Sequence, residues 1–221
     1  MLLLAFDTAT PAVTAALHDG KRVLAESTVV DARRHGELLV PAVERVMATA
    51  GRALAEVTGV VVGVGPGPYT GLRVGLVTAA AFGDALDVPV HGLCTLDGLA
   101  WAAGEAGLEG PFVVATDARR KEVYWARYDG PRHRVTEPAV DRPADIAGSV
   151  AGLPAVGAGA ALYPEAFTDH RADPAHQSAG ALAALAAYRL AAGEPFAPAL
   201  PLYLRRPDAQ VPAGYKAVLP R

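Results

Sequence analysis

Gly63-Val64-Gly65-Pro66-Gly67-Pro68-Tyr69-Thr70-Gly71-Leu72-Arg73-Val74-Gly75 decides how this chain is read. An apolar run over residues 57–64 leads into it and reads as a buried strand, and a long helix of small residues follows. Gly65 and Gly67 allow backbone angles and close approaches that a side chain would block, while Pro66 and Pro68 stiffen the turn. Thr70 is placed as an N-cap for the turn that Gly71, Leu72 and Arg73 begin, and free N–H groups there could meet an anion. A Walker loop needs Lys after its last glycine, where this chain has Leu72. A dinucleotide fingerprint needs a strand-helix-strand unit, whereas three strands and a helix precede this loop. Gly71, Gly75, Ala79 and Gly83 recur every four residues and lay a small stripe along the helix, suited equally to its own sheet or to a partner helix.

Composition narrows the function classes. The chain has 221 residues, 52% hydrophobic and 19% charged, enough to bury a core in one or two domains. A net charge of -3 gives no overall grip on a polyanion, so nucleic acid would be met through a basic partner. The single cysteine, Cys94, excludes an internal disulfide and a multi-cysteine zinc site and reads as a core residue. Residues 1–6 are too short for a signal-peptide core, and no later segment is long enough to span a membrane, so a cytoplasmic protein is expected. Neither Gly-x-Ser-x-Gly nor His-Glu-x-x-His occurs, and none of the six histidines pair at ligand spacing.

Taken in order, residues 2–6, 12–17 and 22–30 read as three antiparallel strands, the last two joined at Asp19-Gly20, a hairpin signal. Leu38, Leu39, Ala42, Val43, Val46, Met47 and Ala50 make the broad apolar face of a helix over 37–50, closed by Gly51, with Pro41 in its first turn or kinking it. Then come the 57–64 strand, the glycine stretch, a helix to about residue 86, a strand over 88–93 and a helix over 95–103. Sliding the chain on itself by 110 residues puts Asp7, Val13, Ala16, Asp19 and Gly20 on Asp117, Val123, Ala126, Asp129 and Gly130 without a gap. A duplicated strand-hairpin unit is the reading. Its second copy is reduced: strands over 112–116 and 122–128, a weaker one over 134–137, a short one over 155–158, and a helix over 178–192 capped by Gly193.

Two such halves around a cleft resemble the actin-like (RNase H-like) ASKHA α/β fold, with two related βββαβα-type subdomains, 1–105 and a reduced 106–221 with an extended tail. The glycine stretch, Asp7-Thr8-Ala9-Thr10, Asp117-Ala118-Arg119 with Glu122-Val123-Tyr124, and Pro201-Leu202-Tyr203-Leu204-Arg205 together resemble the bacterial TsaB (YeaZ) family. Pro68-Tyr69 departs from the Ser-Phe pair usual there. The resemblance implies a scaffold subunit of the machinery that puts threonylcarbamoyl on N6 of the adenosine 3′ of the anticodon, in tRNAs reading codons that begin with A. It implies pairing with the catalytic paralogue TsaD, with the ATPase TsaE in the assembled complex, or with a second copy of itself, and contact with tRNA only through the complex. TsaD carries a His-x-x-x-His metal pair on the helix after its glycine region, where this chain has Thr95 and Leu99, so the fold carries over and the metal centre does not.

The same resemblance places partner contacts on the helices over 37–50 and 71–86, at Leu39, Val43, Val46, Gly71, Leu72, Arg73, Gly75, Leu76, Ala79 and Gly83. Arg73 stands at the head of its helix, against the dipole, so an acidic partner is expected for it in this chain or the next. In a nucleotide-binding member Asp7, Thr8, Asp117 and Arg119 would meet ATP or ADP with Mg²⁺, here at a composite interface site; in a reduced paralogue the carboxylates would cap turns instead. Arg119, Arg120 and Lys121, like Arg205 and Arg206, either meet phosphate or tRNA backbone or form solvated tips. The rival reading is an enzyme acting alone, an actin-like ATPase or kinase or an M22-type peptidase.

Overall fold

The computed structural model describes residues 1–205; Arg206 and the remainder of the tail lie outside the described residues. Three strands open the chain: β1 (Leu3–Asp7), β2 (Ala12–His18) and β3 (Val23–Val30) form an antiparallel meander. Every residue of β1 and β2 is buried, as suits strands covered on both faces, while β3 alternates at the edge. Helix α1 (His35–Ala50) follows, then β4 (Gly59–Gly63), α2 (Tyr69–Leu86), β5 (Val90–Leu93) and α3 (Thr95–Glu105). The first sheet runs β3-β2-β1-β4-β5, with β1, β4 and β5 parallel.

The second half repeats this plan. Strands β6 (Phe112–Asp117), β7 (Val123–Gly130) and β8 (His133–Arg134) form its meander, with β9 (Ala139–Asp141) also paired to β7. Helix α4 (Pro143–Val150), β10 (Pro154–Val156), α5 (Ala158–Leu162), β11 (Asp169–His170) and α6 (Ala179–Ala192) follow, and the sheet order is β11-β10-β6-β7-β8. With β9 set aside as a strand off the main path, each sheet read by its own first to fifth strand gives the same order, which is the actin-like arrangement.

Several expectations are corrected. Helix α2 begins at Tyr69 with Pro68 as its N-cap residue, so Thr70 lies inside the first turn, exposed, and caps nothing. Helix α1 begins two residues early because Asp31 Oδ1 accepts from the N–H groups of Arg33 and Arg34 just ahead of it. Pro41 therefore falls in the second turn, where it withholds the N–H that the Glu37 carbonyl would accept. No strand spans 134–137; β8 ends at Arg134 and β9 begins only at Ala139.

The duplication holds for the meanders but not for their strand-end carboxylates. Leu4 and Phe6 face α1 and α2, whereas the β6 residues that face α4 and α5 are Val113 and Ala115, one short of the 110-residue offset. Val13 and Val123 keep that offset. The second turn is a residue shorter: Asp7 pairs across with Thr14, and Asp117 with Val123. A one-residue slip moves a side chain to the other face of the sheet, so the counterpart of Asp7 is Thr116, and that of Asp117 is Thr8.

Helices cross between the halves. Leu4, Phe6, Val13, Leu17, Val60 and Val62 pack under α1 and α2. On the opposite face Leu3, Ala5, Ala16 and Val61 meet Leu182, Ala183 and Ala186 of α6, which comes from the far end of the sequence. Helix α3 instead sends Leu96, Leu99 and Ala103 against Phe112, Val114 and Tyr128 of the second sheet. Glu26 of β3 fixes α6 in place: its Oε1 accepts from Ser178 Oγ (2.8 Å) and Gly180 N–H (3.2 Å), while Ser178 caps the helix through Ala181 N–H.

Candidate functional site

Asp7 ends β1 fully buried, in space left open by Gly63, whose added methyl would fall on the carboxylate. Its Oδ1 accepts from Ala9 N–H at 2.6 Å, and its Oδ2 accepts from the Thr95 hydroxyl at 2.7 Å. Thr95 Oγ1 in turn accepts from Gly65 N–H at 3.2 Å, and Thr95 N–H donates to Gly65 C=O at 2.8 Å. Burial pushes the Asp7 carboxyl up to about 6, against the opposing pull of the Thr95 hydroxyl, the Ala9 N–H and His35.

Thr8 is equally enclosed. Its hydroxyl donates to Gly71 C=O (2.7 Å) and accepts from Gly75 N–H (3.0 Å), the two groups that an unperturbed helix would pair with each other. A methyl on Gly75 would stand 2.6 Å from that hydroxyl, and one on Gly71 or Gly67 would strike the Thr8 or Ala9 carbonyl. The small stripe thus packs on the end of β1, and Gly83 continues it against Val90.

Asp117 lies at the corresponding end of the second sheet, partly exposed, with Oδ1 accepting from Arg119 N–H at 2.8 Å and Oδ2 3.3 Å from the Arg119 guanidinium. Asp117, Thr10, Pro11, Ala158, Leu162 and His176 line a cavity of about 280 Å³ between the two halves. Asp7, Thr8 and Arg119 do not line it. The described contacts therefore make two separate pairs, Asp7 with Thr8 beside the glycine turn and Asp117 with Arg119 across from them. A magnesium nucleotide does not fit the first pair as folded, because neither side chain has an accessible polar atom. Among the described residues no group of three or more His, Cys, Asp or Glu could hold a metal ion, and no helix is long and apolar enough to cross a membrane.

The helix residues expected at a partner interface are corrected by burial. Leu39, Val43, Val46, Leu72 and Ala79 belong to the interior, as do Gly71, Gly75 and Gly83; only Arg73 and, in part, Leu76 reach the surface. The outward faces of α1 and α2 carry other side chains, among them Val40 at 45% and Val77 at 67% exposure, and Gly36 of α1 sits against Val74 of α2. Arg73 has no acidic partner in the described chain. Its guanidinium lies 4.0 Å over the Tyr69 ring, and its Nε donates to Tyr203 Oη at 3.1 Å.

Sequence reasoning missed Thr95 as the partner of Asp7, and it missed the course of the tail. Ala197 bridges to Gly92, Leu202 N–H donates to Val64 C=O, Tyr203 stacks on Tyr69, and Arg205 donates to Ala118 C=O and pairs with Glu122. The stretch over 201–205 carries part of the family resemblance, but nothing in its sequence says which surface it crosses.

A five-stranded sheet and a six-stranded one that share the same five-strand order, with a glycine turn between β4 and α2, place the chain in the actin-like class. A family model described as TsaD, tRNA N6-adenosine threonylcarbamoyltransferase, matches residues 22–211. YeaZ from Pseudomonas aeruginosa superposes with a TM-score of 0.79 at 31% identity, over 92% of this chain and 99% of that one. An uncharacterized protein of Mycobacterium tuberculosis is 47% identical over 212 residues, 94% of this chain and 93% of its own. The tRNA threonylcarbamoyladenosine biosynthesis protein TsaB of Escherichia coli is 34% identical over 128 residues, 58% of this chain and 55% of that protein, so this match spans about half of each. The chain belongs to the TsaD family, on its TsaB (YeaZ) branch.

Proposed function

We propose that this chain is a non-catalytic partner subunit in the biosynthesis of threonylcarbamoyladenosine on tRNA, seated against a catalytic TsaD-type paralogue in the cytoplasm. The observation that carries the proposal is the chemistry at Thr95 and Leu99, the positions of the metal-binding histidines in the paralogue. Thr95 is wholly buried and its hydroxyl is committed to Asp7 and Gly65, and Leu99 is wholly buried in the second core. Neither can ligate a metal, and Asp7 and Thr8 are likewise engaged inside the fold. A nucleotide, with Mg²⁺, would belong at a composite interface, and a TsaE-type ATPase would join the assembled complex.

The contact surface is the outward side of the α1–α2 pair, where Val40 and Val77 stand free of the core. The same side would pair two copies when the paralogue is missing. Sedimentation of the chain with its host's paralogue tests this, using Val77→Arg. A mixed dimer should form with the natural chain and weaken at least tenfold with the variant, whose own folding should shift by no more than about 0.5 kcal/mol. Ala79→Arg serves as the contrast: it forces a cation into the packed α2–sheet contact and should prevent folding. A chain that ignores the paralogue, or a Val77→Arg variant that associates normally, would overturn the proposal.

A further inference from the structure

We infer that the rim formed by the head of α2, residues 201–205 and the β6–β7 turn is a contact surface for unpaired RNA, where a base stacks on tyrosine and the neighbouring phosphates meet arginine and lysine. It rests on the reading above in one respect, that the RNA is the tRNA being modified. The first support is a preformed aromatic shelf. Tyr69 and Tyr203 are 48% and 40% exposed, with ring centroids 5.1 Å apart and planes 25° from parallel, and Arg73 is held over one ring and bonded to the hydroxyl of the other. Such a shelf offers a base a π-face whose side chains are already ordered.

The second support is independent and lies in the backbone. Arg119, Arg120 and Lys121 have φ of 61°, 54° and 61°, three successive left-handed residues without a glycine. Each costs about 1–2 kcal/mol relative to an ordinary conformation, and Gly or Asn would form the turn with less strain. Arg119 is paired with Asp117 within the turn, whereas Lys121 is a strained cation with no carboxylate beside it among the described residues, which an anionic ligand would answer. Arg205, two residues from Tyr203, donates to Ala118 C=O at 3.0 Å and pairs with Glu122, so shelf and turn share one rim.

Charge separates RNA from an acidic protein. Among the described residues Arg73, Arg119, Lys121 and Arg205 pair with no carboxylate other than Asp117 and Glu122, and Lys121 with none. The chain as a whole carries -3, so this surplus of cations is local. Surplus cations beside a stacking face suit a single-stranded polyanion with bases, whereas an acidic peptide would leave the shelf unused.

The test is fluorescence anisotropy with a labelled anticodon stem-loop RNA, run between about 50 and 200 mM salt, on the whole chain and on its mixed complex with the paralogue. Tyr69→Ala should weaken binding about tenfold with an unchanged salt slope, and Tyr69→Phe should retain it. Arg119→Gln with Lys121→Gln should flatten the log–log salt slope by about 1.4. Variants that bind like the natural chain overturn the inference, as does no binding by either preparation. It is also overturned if these variants leave RNA binding intact and instead weaken paralogue association in sedimentation, which would make the rim a protein interface. If no mixed complex forms but the chain binds RNA with the stated pattern, the partner-subunit reading fails and the rim stands.

Discussion

Asp7 is an enclosed carboxyl with no Lys or Arg bonded to it among the described residues, and its protonation is coupled to folding. Its folded value of about 6 lies above the ordinary 3.8 because burial penalises the charged form more than the Thr95 and Ala9 hydrogen bonds favour it. The neutral form therefore suits the fold, and its stabilisation is complete below about pH 4 and lost as pH rises through 6, on the order of 3 kcal/mol. His18, His91 and His176, whose values burial depresses, oppose this by losing stability as pH falls. The difference between the natural chain and Asp7→Asn isolates Asp7. In urea unfolding at pH 4 to 7 the natural chain should lose stability relative to the variant as pH rises. Parallel pH profiles would remove the buried carboxyl as the cause.

Helix α2 depends on a side chain from another element, since the Thr8 hydroxyl joins Gly71 C=O to Gly75 N–H. Thr8→Val keeps the shape and removes both bonds, and should cost about 1–3 kcal/mol, with faster hydrogen exchange at the Gly75 amide; Thr8→Ser should lose less. If Gly75 exchange is unchanged in the valine variant, the helix closes its own ladder and the bridge is incidental. The stripe Gly71, Gly75, Ala79 and Gly83 was legible in the sequence as a place where a backbone comes close. Which backbone was not, because four-residue spacing fixes a face and leaves its neighbour open; here that neighbour is the end of β1 and the start of β5. The meanders were legible from alternation and Asp-Gly turns, whereas α5 and β11 are too short to carry a period. The strand-end aspartates matched by residue type although the strands are offset by one, a shift that only pairing and packing reveal. The partner of Asp7 escaped notice because Thr95 is 88 positions away and reads locally as the start of a helix.

At the scale of the whole molecule, each sheet is covered by a helix from the other half of the sequence. Leu96, Leu99 and Ala103 of α3 need Phe112 and Tyr128, and β1 needs α6. Residues 1–105 and 106–221 produced separately should each fail to melt cooperatively and should recover a native spectrum when mixed. A cooperative transition in 1–105 alone would mean that α3 and the bare sheet face find another arrangement. Asp97 of α3 fixes the crossing, accepting from Tyr128 Oη (2.9 Å) and Arg134 Nη1 (2.8 Å), with Arg189 of α6 3.6 Å away. Proteins that open and shut a cleft need a hinge that bends while each lobe keeps its own lining. Here the two linings are interchanged and riveted by one aspartate, so swinging the lobes apart would strip hydrophobic surface from both at once. A turn of one lobe would have to carry the other with it, as on a common axle.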